Sequence, residues 1–137
     1  QTNYRIGFHY LAWPSGNTAT PDIVLNWGAS IQQTQMAVWH CRGLLSQTPA
    51  DTASNDTNPQ SITIDTYKDG LTFLIARSPA SEYFSYDDSS LDFDTAGSSN
   101  FAAKAVENTA FDTERTITQG PSGSGGTSNL IAGMSFR

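Results

Sequence analysis

Residues 61–76 read Ser-Ile-Thr-Ile-Asp-Thr-Tyr-Lys-Asp-Gly-Leu-Thr-Phe-Leu-Ile-Ala. Ile62 and Ile64 alternate with Thr63 and Asp65, a period of two. Leu71, Phe73 and Ile75 resume that alternation after Asp69-Gly70, a dipeptide that tolerates the positive φ of a tight primed turn. The expectation is a β-hairpin with one face for a core and the other for water or a partner. No comparable helical stripe occurs, so the chain is constrained to an all-β fold.

The same grammar recurs. Tyr4, Ile6, Phe8 and Tyr10 alternate with Arg5, Gly7 and His9, and Ile23, Leu25 and Trp27 form a further set ended by Gly28. Residues 35–42 place Met36, Val38 and His40 on one side and Ala37, Trp39 and Cys41 on the other. Apolar residues on both faces predict a central strand, or a strand with one face turned to a partner. Trp27 and Trp39 are expected in the core. Residues 14–21 and 120–128 are loops by composition. So are residues 43–59, with Leu44 and Leu45 as a possible anchor and room for a helical turn near 49–54.

Residues 101–106 suit a helix by propensity but lie between β-like neighbours, and a strand is expected. Short strands at 115–119 and 129–137 complete the chain. About eight short strands predict an antiparallel β-sandwich, with a jelly-roll connection compatible with their spacing.

At 137 residues the chain is read as one domain over 1–137. At this mass a folded monomer exposes about 7,000 Å², against about 21,500 Å² unfolded, enough to bury a core without disulfides. The single cysteine, Cys41, excludes an internal disulfide framework. The chain opens on Gln1, and the expectation is that the numbering starts inside a longer product. A net charge of −6 repels phosphate backbones and anionic bilayers, so neither nucleic acid nor membrane is an expected partner. No run of about 18 apolar residues predicts a membrane-spanning helix. Sixteen Ser and sixteen Thr against two lysines describe a surface hydrated by hydroxyls rather than ions, as in many extracellular and virion β-proteins.

Candidate chemistry is sparse. His40 and Cys41 are adjacent in an extended segment, so they face opposite ways and form no nucleophile–base pair. Glu82, Glu107 and Glu114 lie in no glycosidase-like motif. Asp87, Asp88, Asp92 and Asp94 are the best candidates for an ion, since calcium takes six to eight oxygens, but their spacing is not that of an EF-hand loop. A solvated acidic loop is the competing reading, and no other cofactor is implied. Trp13, Tyr83 and Tyr86 are the aromatics placed to stack on sugar rings or anchor an interface.

Three stretches carry a resemblance: residues 11–25 (Leu-Ala-Trp-Pro-Ser-Gly-Asn-Thr-Ala-Thr-Pro-Asp-Ile-Val-Leu), 36–53 (Met-Ala-Val-Trp-His-Cys-Arg-Gly-Leu-Leu-Ser-Gln-Thr-Pro-Ala-Asp-Thr-Ala) and 129–137 (Asn-Leu-Ile-Ala-Gly-Met-Ser-Phe-Arg). Together they resemble small β-sandwich proteins or terminal domains of tailed bacteriophages and prophages. The resemblance spans most of the chain in order, through structural rather than catalytic motifs, and brings no functional residues with it. It implies a non-enzymatic role at the virion surface, as a capsid decoration or a head or tail appendage. Its partners would be other copies of itself and neighbouring virion proteins. Met36, Val38, Trp39, Met134 and Phe136 are the expected interface residues. The alternative is a carbohydrate-binding module adhering to host surface glycans through Trp13, Tyr83, Tyr86 and the Asp cluster.

Overall fold

Residues 71–76 are apolar or β-branched at every position, and Thr72 to Ala76 are buried without a break. A strand with no wet face belongs at the centre of a sheet covered on both sides. That is its place in the computed structural model, which describes residues 5–11, 22–28, 30, 34–57, 61–78, 83–84, 92–95, 100–120 and 130–137. Its strands are β1 (Asp51–Asn55), β2 (Ser61–Thr66), β3 (Leu71–Ser78), β4 (Tyr83–Phe84), β5 (Phe93–Thr95), β6 (Asn100–Glu107), β7 (Asp112–Gly120) and β8 (Leu130–Phe136). No helix occurs among the described residues, and so none is long and apolar enough to cross a membrane.

The fold is all-β, with two antiparallel sheets ordered β1-β8-β3-β6-β5 and β2-β7-β4. Six strands are five residues or longer, four in the larger sheet and two in the smaller. β4 and β5 are short additions of two and three residues. The sheets pack through Ile62, Ile64 and Ile117 of the smaller sheet against Leu74, Ala76, Ala102 and Ile131 of the larger. Gly133 permits the close approach. A Cβ there would lie 2.7 Å from the Ile62 Cδ1 and 3.2 Å from the Leu74 Cδ2.

The expected hairpin does not form. β2 pairs with β7, while β3 pairs with β6 and β8, so residues 67–70 are a corner between sheets. The turn chemistry was legible: the Gly70 N–H donates to the Tyr67 carbonyl at 3.0 Å, and Asp69 takes a left-handed φ of 62°. The central residues of this turn are Lys68 and Asp69, and positive φ at the second alone is the type II pattern, not that of a primed hairpin turn. Gly70 is required for space, because a Cβ would collide with the Phe136 carbonyl oxygen. Asn108 clamps the corner. Its carbonyl accepts from Asp69 N–H at 2.8 Å, its N–H donates to the Gly70 carbonyl at 2.9 Å, and its Oδ1 accepts from the Thr72 hydroxyl at 3.1 Å.

Other expectations also shift. Residues 51–55, read as loop or helical turn, are the edge strand β1, paired with β8. The polar run Asp-Thr-Ala-Ser-Asn carries no apolar alternation, and its place comes from the ladder. Residues 101–106 are a strand as expected, because Ala102, Ala103 and Val106 are buried on both faces of a paired β6. Residues 5–11, 22–28 and 34–41 belong to no ladder.

β7 carries a bulge. Its register against β2 shifts between Ile64 and Thr66, and Glu114 there has a φ of 57°. The Glu114 N–H donates to Asp65 Oδ1 at 2.9 Å, which holds the left-handed conformation in place. That conformation costs a side-chain-bearing residue about 1–2 kcal/mol. Glu114→Gly is therefore expected to raise stability by about 0.5 kcal/mol, the relief being partly offset by glycine's greater unfolded-state freedom. Glu114→Val is expected to lower it by about 1–2 kcal/mol. Urea midpoints of the two variants check the opposite signs; equal shifts would show that the backbone at 114 relaxes freely.

Candidate functional site

The two-sheet core leaves one large surface still apolar. On the larger sheet, Phe73, Ile75, Phe101, Ala103, Ala132, Met134 and Phe136 face away from the smaller sheet. The chain covers this outer face with residues from 5–11 and 34–44. Ile6, Phe8, Ala37 and Trp39 pack over Ile75, Phe101, Ala103 and Ala132, and Phe8, Trp39, Cys41 and Leu44 pack over Phe73, Met134 and Phe136. Aromatic rings run across the seam. Trp39 lies 5.3 Å from Phe73, Phe73 meets Phe136 edge-on at 5.8 Å, and Phe136 meets Tyr10 edge-on at 6.1 Å.

Alternation survives in this layer without ladder pairing. Ile6 and Phe8 are half-buried between exposed Arg5, Gly7 and His9. Gln35, Ala37, Trp39 and Cys41 turn inward while Met36, Val38 and His40 are exposed. His40 and Cys41 thus face opposite ways, as expected. Burial pushes the Cys41 thiol above its ordinary pKa, so the reactive thiolate is disfavoured.

Asp92 ties the layer down. Its Oδ2 accepts from the Trp39 indole N–H at 2.9 Å and from the Ala105 backbone N–H at 2.7 Å. The second bond takes over where the β5–β6 ladder stops, one step beyond the Asp92 N–H to Ala103 carbonyl bond. One carboxylate therefore caps a sheet edge and anchors the covering segment, with charge-assisted strength at both bonds.

Several expected site residues are placed differently. Met134 and Phe136, expected at an interface, are only 6% and 4% exposed, beneath Phe8, Trp39 and Leu44. The surface they would offer is already covered by this chain. Trp39 is half-buried in the same seam, and only Met36 and Val38 of the expected five open outward. Trp27, expected in the core, is 56% exposed, together with Ile23, Val24 and Leu25. Three consecutive apolar residues at 23–25 read as a segment covered on both sides, so the sequence carried no signal of this exposure. Leu44 anchors as expected, whereas Leu45 is exposed.

Of the proposed sugar-stacking residues, Tyr83 lies in β4 opposite Gly120, while Trp13 and Tyr86 fall outside the described residues. Asp94 lies in β5, and Asp87 and Asp88 fall outside the described residues. Among the described residues no three His, Cys, Asp or Glu side chains gather into a metal-binding group. A cluster missed from the sequence joins Tyr67, Phe111 and Arg137: the rings lie 5.4 Å apart, and the guanidinium sits 4.3 Å above Tyr67.

These features define an all-β protein of two packed antiparallel sheets whose larger sheet is overlain by residues from 5–11 and 34–44. No protein-family model, curated protein or solved structure matches the chain.

Proposed function

We propose that this chain is a non-enzymatic structural protein of a bacteriophage virion, a capsid decoration or a head or tail appendage, acting at the particle surface. It works by self-association and by docking to neighbouring virion proteins. The architecture is read as a β-sandwich of about eight strands with a jelly-roll connection. The strand order supports this: β1, β8, β3 and β6 in one sheet face β2, β7 and β4 in the other, so most consecutive strands change sheets. Double-sheet jelly rolls recur in viral capsid and lectin domains.

The observation that carries the functional reading is the exposed apolar layer outside an already completed core. Ile23, Val24, Leu25, Trp27, Met36 and Val38 are all exposed on extended backbone. Large apolar side chains left exposed outside a filled core support a contact role. Many copies on one particle would let weak contacts add by avidity.

Antibody raised against this chain is expected to decorate purified phage particles under the electron microscope, and the purified chain to co-sediment with particles lacking it. Particles free of the chain, with no co-sedimentation, would overturn the reading. Specific binding to host polysaccharide on a glycan array would favour the adhesion alternative instead.

A further inference from the structure

We propose that β1 is a clasp on the free edge of the smaller sheet: Asp51 and Asn55 occupy hydrogen-bonding groups of β2 that face away from β7, and so close that edge to strand addition by a second copy of this chain. The clasp is built from bonds within one chain and stands whether or not the virion reading does.

β2 is an end strand of its sheet, with β7 on one side. In an antiparallel ladder the backbone groups of successive residues point alternately to one edge and the other. The Ser61 carbonyl and the Asp65 N–H bond to β1 side chains, outside the ladder. Ser61, Thr63 and Asp65 therefore turn their backbone groups to the edge away from β7. Such an edge is a template for another strand. Its sequence makes it a strong one: Ser-Ile-Thr-Ile-Asp-Thr is β-branched at four of six positions, with one charge and neither proline nor glycine.

β1 reaches both ends of that edge. The Asp65 N–H donates to Asp51 Oδ2 at 2.8 Å, and Asn55 Nδ2 donates to the Ser61 carbonyl at 2.8 Å. The two contacts are four residues apart on each strand and run in opposite directions, an antiparallel register made by side chains instead of backbone. Both side chains are also fixed from their own segment. Asp51 Oδ1 accepts from the Thr52 N–H at 2.8 Å, and Asn55 Oδ1 accepts from the Thr57 N–H and hydroxyl at 2.8 and 2.7 Å. β1 itself is paired with β8, so the clasp ties the larger sheet to the smaller. An apolar side chain at 51 or 55 could supply neither bond.

A second copy fits the opened edge. Two β2 strands set antiparallel about Thr63 would place Ser61 of each opposite Asp65 of the other, so no like charges would face.

The test is analytical ultracentrifugation of the full chain, with hydrogen exchange read at the Asp65 amide. Asp51→Ala with Asn55→Ala is expected to speed that exchange and to raise the mass to about twice the wild-type value, as one two-fold contact between copies does. Asn55→Ala alone, which opens only the Ser61 end, should shift the mass the same way but less, and serves if the double variant loses its circular-dichroism spectrum. Adding Thr63→Pro deletes the edge N–H midway between the clasped positions and should restore the wild-type mass, since that N–H serves no ladder bond. Adding Thr63→Lys instead should do the same through charge. Asp56→Ala removes an exposed acid just beyond β1 without touching the clasp, and should change neither reading. Folded variants that keep the wild-type mass overturn the proposal. So does association that survives both Thr63 changes or that Asp56→Ala reproduces, and so does an Asp65 amide that exchanges as fast in the wild type as in the double variant.

Discussion

Gly133→Val is expected to cost about 3 kcal/mol or more and to leave little folded protein under mild conditions. Gly133 lies in β8 on the face toward the smaller sheet, in register with Leu74 of β3. A Cβ there meets Ile62 Cδ1 at 2.7 Å, Leu74 Cδ2 at 3.2 Å and Ile64 Cδ1 at 3.3 Å. All three neighbours are buried, so they have little room to move aside. Valine adds two further methyls to that collision. The milder Gly133→Ala is expected to cost about 1–3 kcal/mol. Ile62→Val removes the Cδ1 atom that lies closest. Combined with Gly133→Ala it should therefore cost less than the sum of the single changes, by about 0.5–1 kcal/mol. Urea unfolding at one fixed protein concentration measures all four variants. Strict additivity would mean that the sheets separate around residue 133 instead of pressing on Ile62.

Trp39→Ala is expected to cost about 2–3 kcal/mol, below the range for a fully buried tryptophan because Trp39 is half-buried. It removes the ring packed on Phe73 and the indole bond to Asp92. Trp39→Phe keeps most of the packing and loses only the bond, for about 1 kcal/mol. Asp92→Asn weakens the bonds from both Trp39 and Ala105, and should cost a similar amount. The double variant Trp39→Phe with Asp92→Asn should cost less than the sum, since both changes strike one hydrogen bond. Faster proteolysis within residues 1–45, ahead of global unfolding, should accompany Trp39→Ala. If Trp39→Phe destabilised as much as Trp39→Ala, the ring would contribute nothing and the latch everything.

The candidate site was legible only in part. Apolar residues on both sides of 35–42 predicted a central strand or one face turned to a partner; the segment joins no ladder, and Met36 and Val38 are exposed. The C-terminal strand 129–137 was expected near an interface as well. There both faces are filled inside the chain, one by the smaller sheet and one by residues 5–11 and 34–44. Apolar character tells that a face is covered and is silent on whose atoms cover it. Asp92 shows the same limit. Its spacing with Asp87, Asp88 and Asp94 suggested an ion, whereas its carboxylate receives an indole N–H from 53 residues away.

Side-chain alternation, turn residues and the lack of a helical stripe by themselves determined that the chain is all-β. They also identified extended segments within 61–76 and at 101–106, 115–119 and 129–137. These are local properties, set by the two-residue repeat of the pleat. Only the tertiary structure decided that β2 and β3 part at Gly70 and join different sheets, and that the polar residues 51–55 form a strand. It alone showed that residues 5–11 and 34–44 lie across a finished sheet without joining its ladder. Those outcomes depend on which distant backbone supplies the hydrogen bonds and which distant side chains fill the space, and a period of two carries no record of either.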